Sequence, residues 1–290
     1  MPSTRDIRRR IKSVRNTSQI TKAMQMVAAS KMRKAQQSAL NGRPYVEKIY
    51  KLLMHVRRVV DPGLHPLLRG SGDGRHLVLV ISPDKGLCGA LNTNLLREAA
   101  RLDRDGTCFV TSGRKGAQFM VRTNREVLAD FAVGDPPQFA ETKRVAKFCV
   151  DQFLEGKVGR FSVLYTKFHN TLIQQPKLMQ LLPISSLEEV LGENYSAELN
   201  AEVEAAGYKI EPSAPAVLDA LLPFALNACI YQLFLSARAS EHSARMVAMK
   251  NATENANGLI KDLTLEYNKL RQAGITNELL EIATAQMALE

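Results

Sequence analysis

The sequence predicts an α/β protein in which a long helix at each end of the chain encloses a domain of alternating strands and helices. Three observations predict this class. Both terminal segments are long and poor in helix-breaking residues, both carry apolar residues at steps of three and four, and the middle of the chain alternates short apolar runs with helical patterns. The predicted divisions are residues 1–60, 61–212 and 213–290.

The N-terminal segment predicts the first long helix. Residues 3–41 contain no glycine and no proline, whereas Gly42 and Pro44 are expected to kink or interrupt the helix. The polar residues 16–19 interrupt its apolar pattern. The predicted buried stripe consists of Ile7, Ile11, Val14, Ile20, Met24 and Val27.

The middle of the chain predicts a mostly parallel sheet with helices on its faces, because strand and helix patterns alternate. The predicted strands are His76–Ile81, Thr107–Thr111, Arg160–Phe168 and Lys177–Leu182. Helices are expected at about residues 92–102 and 142–155. A returning helix is predicted to begin near Ser213.

The C-terminal segment predicts the longest helix, since no proline follows Pro223. Its predicted stripe consists of Met249, Ala252, Ala256, Leu259, Leu263, Tyr267 and Leu270. A helix from Pro223 to the C-terminus would measure on the order of 100 Å, which exceeds the diameter of a globule of this size. The N-terminal helix is the expected cover, in a coiled coil. Two separate helical hairpins on a globular core remain the alternative.

Charge is concentrated at the N-terminus. The net charge is +10, and residues 1–34 hold ten lysines and arginines against one acidic residue, Asp6. A basic helix is typical of nucleic-acid-binding proteins. Because residues 1–44 contain no aromatic side chain that could stack on a base, a protein-facing basic helix is the preferred interpretation, with nucleic-acid binding as the alternative. No run of 18 apolar residues occurs, so no membrane-spanning segment is predicted.

No catalytic, metal or cofactor site is predicted. The four cysteines, Cys88, Cys108, Cys149 and Cys229, show no CxxC spacing, and the histidines are scattered. The loop Asp84–Gly89 follows a strand and precedes a helix, where α/β domains bind phosphate. It lacks the spacing of a P-loop and of GxGxxG, so we interpret it as a tight turn, with nucleotide binding as the alternative.

Four segments carry a resemblance to a known family. IRRRIKSVRNTSQITKAMQMVAASKMRKAQ, residues 7–36, resembles the start of the gamma subunit of the rotary F-type ATP synthase. SEHSARMVAMKNATENANGLIKDLTLEYNKLRQAGITNELLEIATA, residues 240–285, resembles its terminal helix. DKGLCGALN from Asp84 and LLP at residues 221–223 match the same family in type and order, so the resemblance covers the whole chain.

The resemblance implies both a fold and a role. The family fold is an antiparallel coiled coil of the terminal helices with an inserted Rossmann-like α/β domain that binds no nucleotide. The implied role is a non-catalytic rotor shaft, which couples rotation of the membrane c-ring to ATP synthesis or hydrolysis at the beta subunits. The implied partners are three alpha and three beta subunits, the epsilon subunit and the c-ring. The implied location is peripheral, on the cytoplasmic face of a bacterial inner membrane.

The resemblance also implies contact residues, carried over by position. Contacts to the beta subunits fall on Met24, Arg245, Gln272 and Thr276. Met24 matches a position near the moving beta lever, where a positive charge impairs coupling. The C-terminal tip is expected to lie in an apolar bearing at the top of the ring, through Ile275, Leu279, Ile282 and Met287.

Overall fold

The computed structural model describes residues 3–59, 65–68, 74–184 and 211–287. The described elements, in chain order, are α1 (Thr4–Val59), β1 (His76–Ile81), α2 (Leu91–Arg101), β2 (Thr107–Ser112), α3 (Arg114–Arg122), β3 (Val127–Asp130), α4 (Phe139–Leu154), β4 (Arg160–Phe168), β5 (Gln174–Leu182) and α5 (Ala214–Met287). The predicted α/β class is confirmed. Contacts divide the chain into two units, Met1–Ala28 with Arg245–Glu290, and Ala29–Ala244.

The unit Ala29–Ala244 contains one five-stranded sheet in the order β3-β2-β1-β4-β5. Strands β1, β2, β3 and β4 pair in parallel, and β5 pairs with β4 in antiparallel orientation. This order is that of a Rossmann-like sheet with an antiparallel edge. The sequence did not predict β3, which is short, lies at an edge and is only half-buried.

The sheet is buried on both faces, which explains why its central strands are continuously apolar. Successive side chains of β1 enter different clusters: Leu77 and Leu79 join one, and Val78 and Val80 join the other. The first cluster also contains side chains of α1, α4 and α5. The second contains side chains of α2 and α3.

Helix α5 is apolar over part of its length because it packs in this core. Within Ala214–Thr284 an 18-residue window has a mean hydropathy of 1.6, and this is the one helix among the described residues that could cross a membrane by length and composition. Half of that window is buried inside the protein. Leu222, Ile230 and Phe234 are fully buried in the core cluster, so core packing accounts for the apolar composition.

In the unit formed by the two chain ends, α1 and α5 pair along a polar layer. Ser18 Oγ donates to Asn257 Oδ1 at 2.8 Å, and the hydroxyl oxygens of Thr21 and Thr253 lie 2.7 Å apart. A step of three residues forward on α1 therefore corresponds to four residues backward on α5. The helices are antiparallel, as the resemblance implied, and the alternative of separate hairpins is excluded.

The contact between these two helices follows a heptad repeat, with steps that alternate between three and four residues. On α1 the buried and half-buried positions are Ile7, Ile11, Val14, Ser18, Thr21, Gln25 and Ala28. On α5 they are Met249, Thr253, Ala256, Ile260, Leu263, Tyr267 and Leu270. The side chains of the seam are therefore apolar towards the C-terminal part of α5, whereas those in its middle are small or polar.

The predicted stripes are wrong in part. Ile20 and Val27 are 60% and 57% exposed, and Leu259 is 48% exposed. The sequence interpretation treated residues 16–19 as a break and began a new stripe at Ile20. The helices instead keep one heptad phase, because the hydroxyls in the seam can bond across it and to the backbone carbonyls of their own helices.

The expected interruption of α1 is also wrong. The helix continues through Gly42 and Pro44 to Val59, and α5 likewise continues through Pro223. Pro44 and Pro223 are both exposed, so the carbonyl that each proline leaves without a helical donor lies near solvent. Packing of both helices against the sheet holds them together through these positions.

A group of polar and charged side chains in the unit Ala29–Ala244, the Asp135 cluster, consists of Lys31, Asp135, Arg238, Glu241 and His242. Asp135 Oδ2 lies 2.7 Å from Lys31 Nζ, and its Oδ1 lies 3.1 Å from His242 Nε2. Arg238 Nη1 donates to Glu241 Oε2 at 2.8 Å. The hydrogen bond from His242, together with that from Lys31, holds the pKa of Asp135 well below its usual range, although partial burial opposes this effect.

The polar layer of the seam leads to a first prediction. Thr21→Val or Thr253→Val is expected to lower the free energy of unfolding by about 0.5–1.5 kcal/mol, because each removes the hydroxyl–hydroxyl bond. The double variant is expected to cost less than the sum of the two, since no buried hydroxyl is then left without its partner. Thr264→Val, on the exposed face of α5, is the matched control. Chemical denaturation of the purified chain measures the free energy of unfolding of the two single variants, the double variant and the control. If the loss in the double variant equals the sum of the two single losses, the interaction between the hydroxyls is contradicted.

The Asp135 cluster leads to a second prediction. Asp135→Asn is expected to lower the free energy of unfolding by about 1 kcal/mol at neutral pH, a value reduced for partial solvent exposure. Because the folded-state pKa is depressed, this contribution is fully present above the unfolded pKa of about 4 and declines as the pH falls from there towards the lower folded-state pKa. Chemical denaturation at pH 7 and at pH 3 measures the difference in free energy of unfolding between wild type and variant, which is expected to be smaller at pH 3. A difference at pH 3 that equals or exceeds the difference at pH 7 would contradict a stabilising role of the ionised Asp135 carboxylate.

Candidate protein-interaction surfaces of the helix pair

The N-terminal half of α1 presents an apolar flank beside the seam. Ile20, Met24 and Val27 follow one another at steps of four and three, so they lie on one side of the helix. Ile20 and Val27 are exposed, and Met24 is half-buried. These three residues, which we call the apolar flank, are the second half of the stripe that the sequence predicted to be buried.

A basic flank lies on the other side of the same helix. Arg8, Arg15 and Lys22 are spaced by seven residues, so they share one heptad position, and all three are exposed. By the phase of the repeat, they and the apolar flank lie on opposite sides of the seam, each roughly 100° around the helix from it. The helix pair therefore presents two chemically different sides to its surroundings.

The residues expected to contact beta subunits fall at two levels of the helix pair. The antiparallel alignment places Met24 opposite residues near 250, within about two turns of the half-buried Arg245. Gln272 and Thr276 are both exposed and lie one turn apart, with the Thr276 hydroxyl donating to the Gln272 carbonyl at 3.0 Å. About 40 Å of helix separates Arg245 from Gln272, so the four residues form two separate surfaces.

The end of α5 extends beyond the start of α1. The alignment places Thr4 opposite residues near 270, and α5 continues to Met287. The predicted tip residues Ile275, Leu279 and Ile282 are 50%, 62% and 64% exposed, and their spacing places them on one face. Leu280, 58% exposed, belongs to the tip as well and was not singled out from the sequence.

The tip has no covering helix among the described residues. Met287 is the last residue of α5, and its side chain lies outside the described part of the chain. An isolated helix of this length is marginally stable in water, and exposed aliphatic side chains on it are typical of a protein interface. The tip is therefore a candidate binding segment that a surrounding surface would complete.

The loop Asp84–Gly89 has the geometry of a tight turn. Leu87 and Gly89 adopt φ values of 63° and 59°, and Cys88 is buried. Asp84 Oδ1 accepts a hydrogen bond from the backbone N–H of Arg114 at 3.0 Å, at the start of α3. This bond ties the loop to α3, and together with the two positive φ values it favours the turn interpretation over nucleotide binding.

The described residues offer no evident reactive centre. They contain no group of three or more His, Cys, Asp or Glu side chains that could hold a metal ion. All four cysteines are buried, and burial raises the pKa of Cys229 to about 12. Burial also raises the pKa of Cys108 and Cys149, so these thiols stay protonated at neutral pH and are poor nucleophiles.

Comparison with known sequences identifies relatives along the whole chain. The family model described as ATP synthase matches residues 3–289. The ATP synthase gamma chain of Opitutus terrae is 49% identical, and the match covers 99% of both chains. The gamma chains of Methylacidiphilum infernorum and Akkermansia muciniphila are 47% and 45% identical, each with 100% of both chains covered.

Solved structures share the fold. The central stalk and c-ring structure of the Tetrahymena thermophila mitochondrial ATP synthase contains a chain that is 25% identical, with a TM-score of 0.59 and coverage of 80% of this chain and 99% of that one. A chain of the Euglena gracilis mitochondrial ATP synthase, in rotational state 3, has a TM-score of 0.69 at 22% identity over 99% of this chain and 94% of that one. The resemblance in the sequence is confirmed, and the chain belongs to the ATP synthase gamma-chain family.

Proposed function

We propose that this chain is the central rotor shaft of an F-type ATP synthase and that its two unlike flanks are the means by which it drives the catalytic subunits. The observation that carries this proposal is the antiparallel helix pair with an apolar flank on one side and a basic flank on the other. A gamma chain is a non-catalytic part of its complex. Its contribution to catalysis is therefore mechanical.

Rotation can be transmitted only by a part that resists twisting and bending. One helix bends easily, whereas two helices joined along a heptad seam resist bending and keep their axial register. The polar layer at Ser18, Thr21, Thr253 and Asn257 fixes that register, because a shift of one helix along the other would leave the buried hydroxyl groups of the two threonines and of Ser18 without their partners.

Asymmetry is what converts rotation into different states of otherwise identical subunits. As the helix pair turns, each of three surrounding beta subunits meets the apolar flank, then the basic flank, then the α5 side. Each contact must be weak enough to exchange, since every 1.4 kcal/mol of excess affinity slows release about tenfold. Exposed single residues spaced along a helix suit such contacts better than a large packed interface.

The proposed partners follow from this role. Three alpha and three beta subunits surround the helix pair, with Met24 and Arg245 at one level and Gln272 and Thr276 at the other. The tip residues Ile275, Leu279, Ile282 and Met287 lie in an apolar bearing within that ring. The α/β domain, together with the epsilon subunit, engages the membrane c-ring. One solved neighbour belongs to a structure of a central stalk and c-ring, which supports this assignment.

The proposed location follows from the partners. The chain is peripheral, on the cytoplasmic face of a bacterial inner membrane, and it is held there through the complex. Its relatives are bacterial gamma chains, which supports this assignment.

The partner proposal leads to a third prediction. An affinity-tagged chain, expressed in its own cells, is expected to co-purify with a hexameric ATPase in a ratio of one chain to three alpha and three beta subunits. Native mass spectrometry of the complex measures the ratio. Treatment with nuclease before capture is the control against the basic flank retaining nucleic acid. Recovery of the chain with nucleic acid and without ATPase subunits would contradict the proposal.

The apolar flank leads to a fourth prediction. Met24→Lys is expected to leave assembly intact and to reduce the number of protons pumped per ATP hydrolysed, because a cation on this flank can pair with a carboxylate of one beta subunit and hold one rotary state. Met26→Lys is the matched control: it places the same charge two residues away on the basic side, where a further cation changes little. Proton pumping and ATP hydrolysis in membrane vesicles measure both. Normal coupling in Met24→Lys, or equal loss in both variants, would contradict the proposal.

A further inference from the structure

The loop between β3 and α4, residues 131–138, contacts both long helices through one carboxylate. Asp135 Oδ2 lies 2.7 Å from Lys31 Nζ on α1, and Asp135 Oδ1 lies 3.1 Å from His242 Nε2 on α5. Both oxygens of one side chain are thus used, each towards a different helix. These helix segments are separated by more than 200 residues in the chain, and Asp135 comes from a third element.

A second contact joins the same loop to α5. Arg238 Nη2 donates to the backbone carbonyl of Val133 at 3.0 Å, while its Nη1 donates to Glu241 Oε2 at 2.8 Å. The Arg238 and Glu241 side chains are only 6% and 8% exposed. A buried guanidinium paired with a carboxylate is directional, and removal of one partner leaves an uncompensated charge. The loop is therefore held at two points two residues apart.

The loop is also fixed to the sheet and to α4, so it cannot simply follow the helices. Glu141 Oε2 of α4 accepts hydrogen bonds from the backbone N–H groups of Gly134 at 3.0 Å and Gln138 at 3.3 Å. Phe131 N–H donates to the Thr111 carbonyl of β2 at 2.9 Å. A displacement of the sheet is consequently passed to the loop through hydrogen bonds on both sides of Asp135.

We propose that Asp135 is a positioning residue for rotation, which locks the α/β domain to both helices so that torque applied to this domain turns α1 and α5 together. The inference rests on the proposed rotor function and names the place where this domain holds the helices. The remaining contact between the domain and the helices consists of apolar packing and of neutral hydrogen bonds that join β4 and the turn after it to Ser236, Ser240 and Ser243 of α5. Apolar contacts are non-directional and resist sliding poorly, whereas charge-assisted hydrogen bonds from one carboxylate to two helices resist it in two directions.

The test uses the complete ATP synthase in membrane vesicles. Asp135→Asn keeps the size of the side chain and removes its charge, and Lys31→Met removes only the α1 contact at a partly exposed position. Both variants are expected to hydrolyse ATP at the wild-type rate. The number of protons pumped per ATP is expected to fall about twofold or more in Asp135→Asn, and by less in Lys31→Met. A role in folding alone would lower the yield of complex and leave this ratio unchanged.

The matched control is Glu126→Gln, which also removes one carboxylate from the α/β domain. Glu126 pairs with Arg75 near the start of β3 and β1, and this pair joins neither long helix. Its pumping ratio is expected to equal that of wild type.

The outcomes separate this inference from the proposed function. Wild-type pumping ratios in assembled Asp135→Asn and Lys31→Met would overturn the inference and leave the rotor function intact. Failure of both variants to assemble, with normal assembly of Glu126→Gln, would also overturn it, because the contact would then serve assembly. Failure of the wild-type chain itself to enter an ATP synthase would refute the rotor function.

Discussion

The structure depends on a pairing between chain ends that lie more than 230 residues apart. The α1–α5 seam brings them together, and its middle consists of hydroxyl and small side chains instead of large apolar ones. Such a seam gives up some apolar burial for positional specificity, because only one axial alignment satisfies Ser18, Thr21, Thr253 and Asn257 at once. Every surface residue of the helix pair is then fixed in height and direction by this alignment.

The same constraint explains why large apolar residues are exposed on α1. The heptad positions in the middle of the seam are occupied by small and polar residues, so Ile20 and Val27 fall outside it. Their exposure costs solubility without adding to the stability of the pair. A surface that retains them is explained most simply by contact with other subunits, as the gamma-chain family membership supports.

Much of the fold could be predicted from the sequence because the local patterns were strong. The apolar run His76–Ile81 and the pattern of Arg160–Phe168 coincide with strands β1 and β4. The short edge strand β3 could not be predicted, since four residues, of which two are half-buried and two exposed, carry too weak a pattern. The phase of the α1 seam was missed because a polar seam gives no hydrophobic signal. The Asp135 cluster was missed because its residues come from three distant parts of the sequence.

The predicted contact residues Met24, Arg245, Gln272 and Thr276 came from family resemblance, and no residue pattern alone would have selected them. What the structure adds is their surroundings. Met24 lies in an apolar flank, and Gln272 and Thr276 share an exposed turn of α5. They remain proposed contacts, whereas the exposed faces on which they lie are properties of the chain.

The two unlike flanks of α1 have a consequence for ionic strength. Attraction towards Arg8, Arg15 and Lys22 is screened over a Debye length of about 8 Å in physiological salt, whereas contact with Ile20 and Val27 is almost indifferent to dissolved ions. A fixed neighbour therefore meets a salt-sensitive surface during one part of a revolution and a salt-insensitive surface during another. Added electrolyte should shift the depths of the angular energy minima relative to one another, so that it changes the shape of the rotational energy profile as well as its overall height.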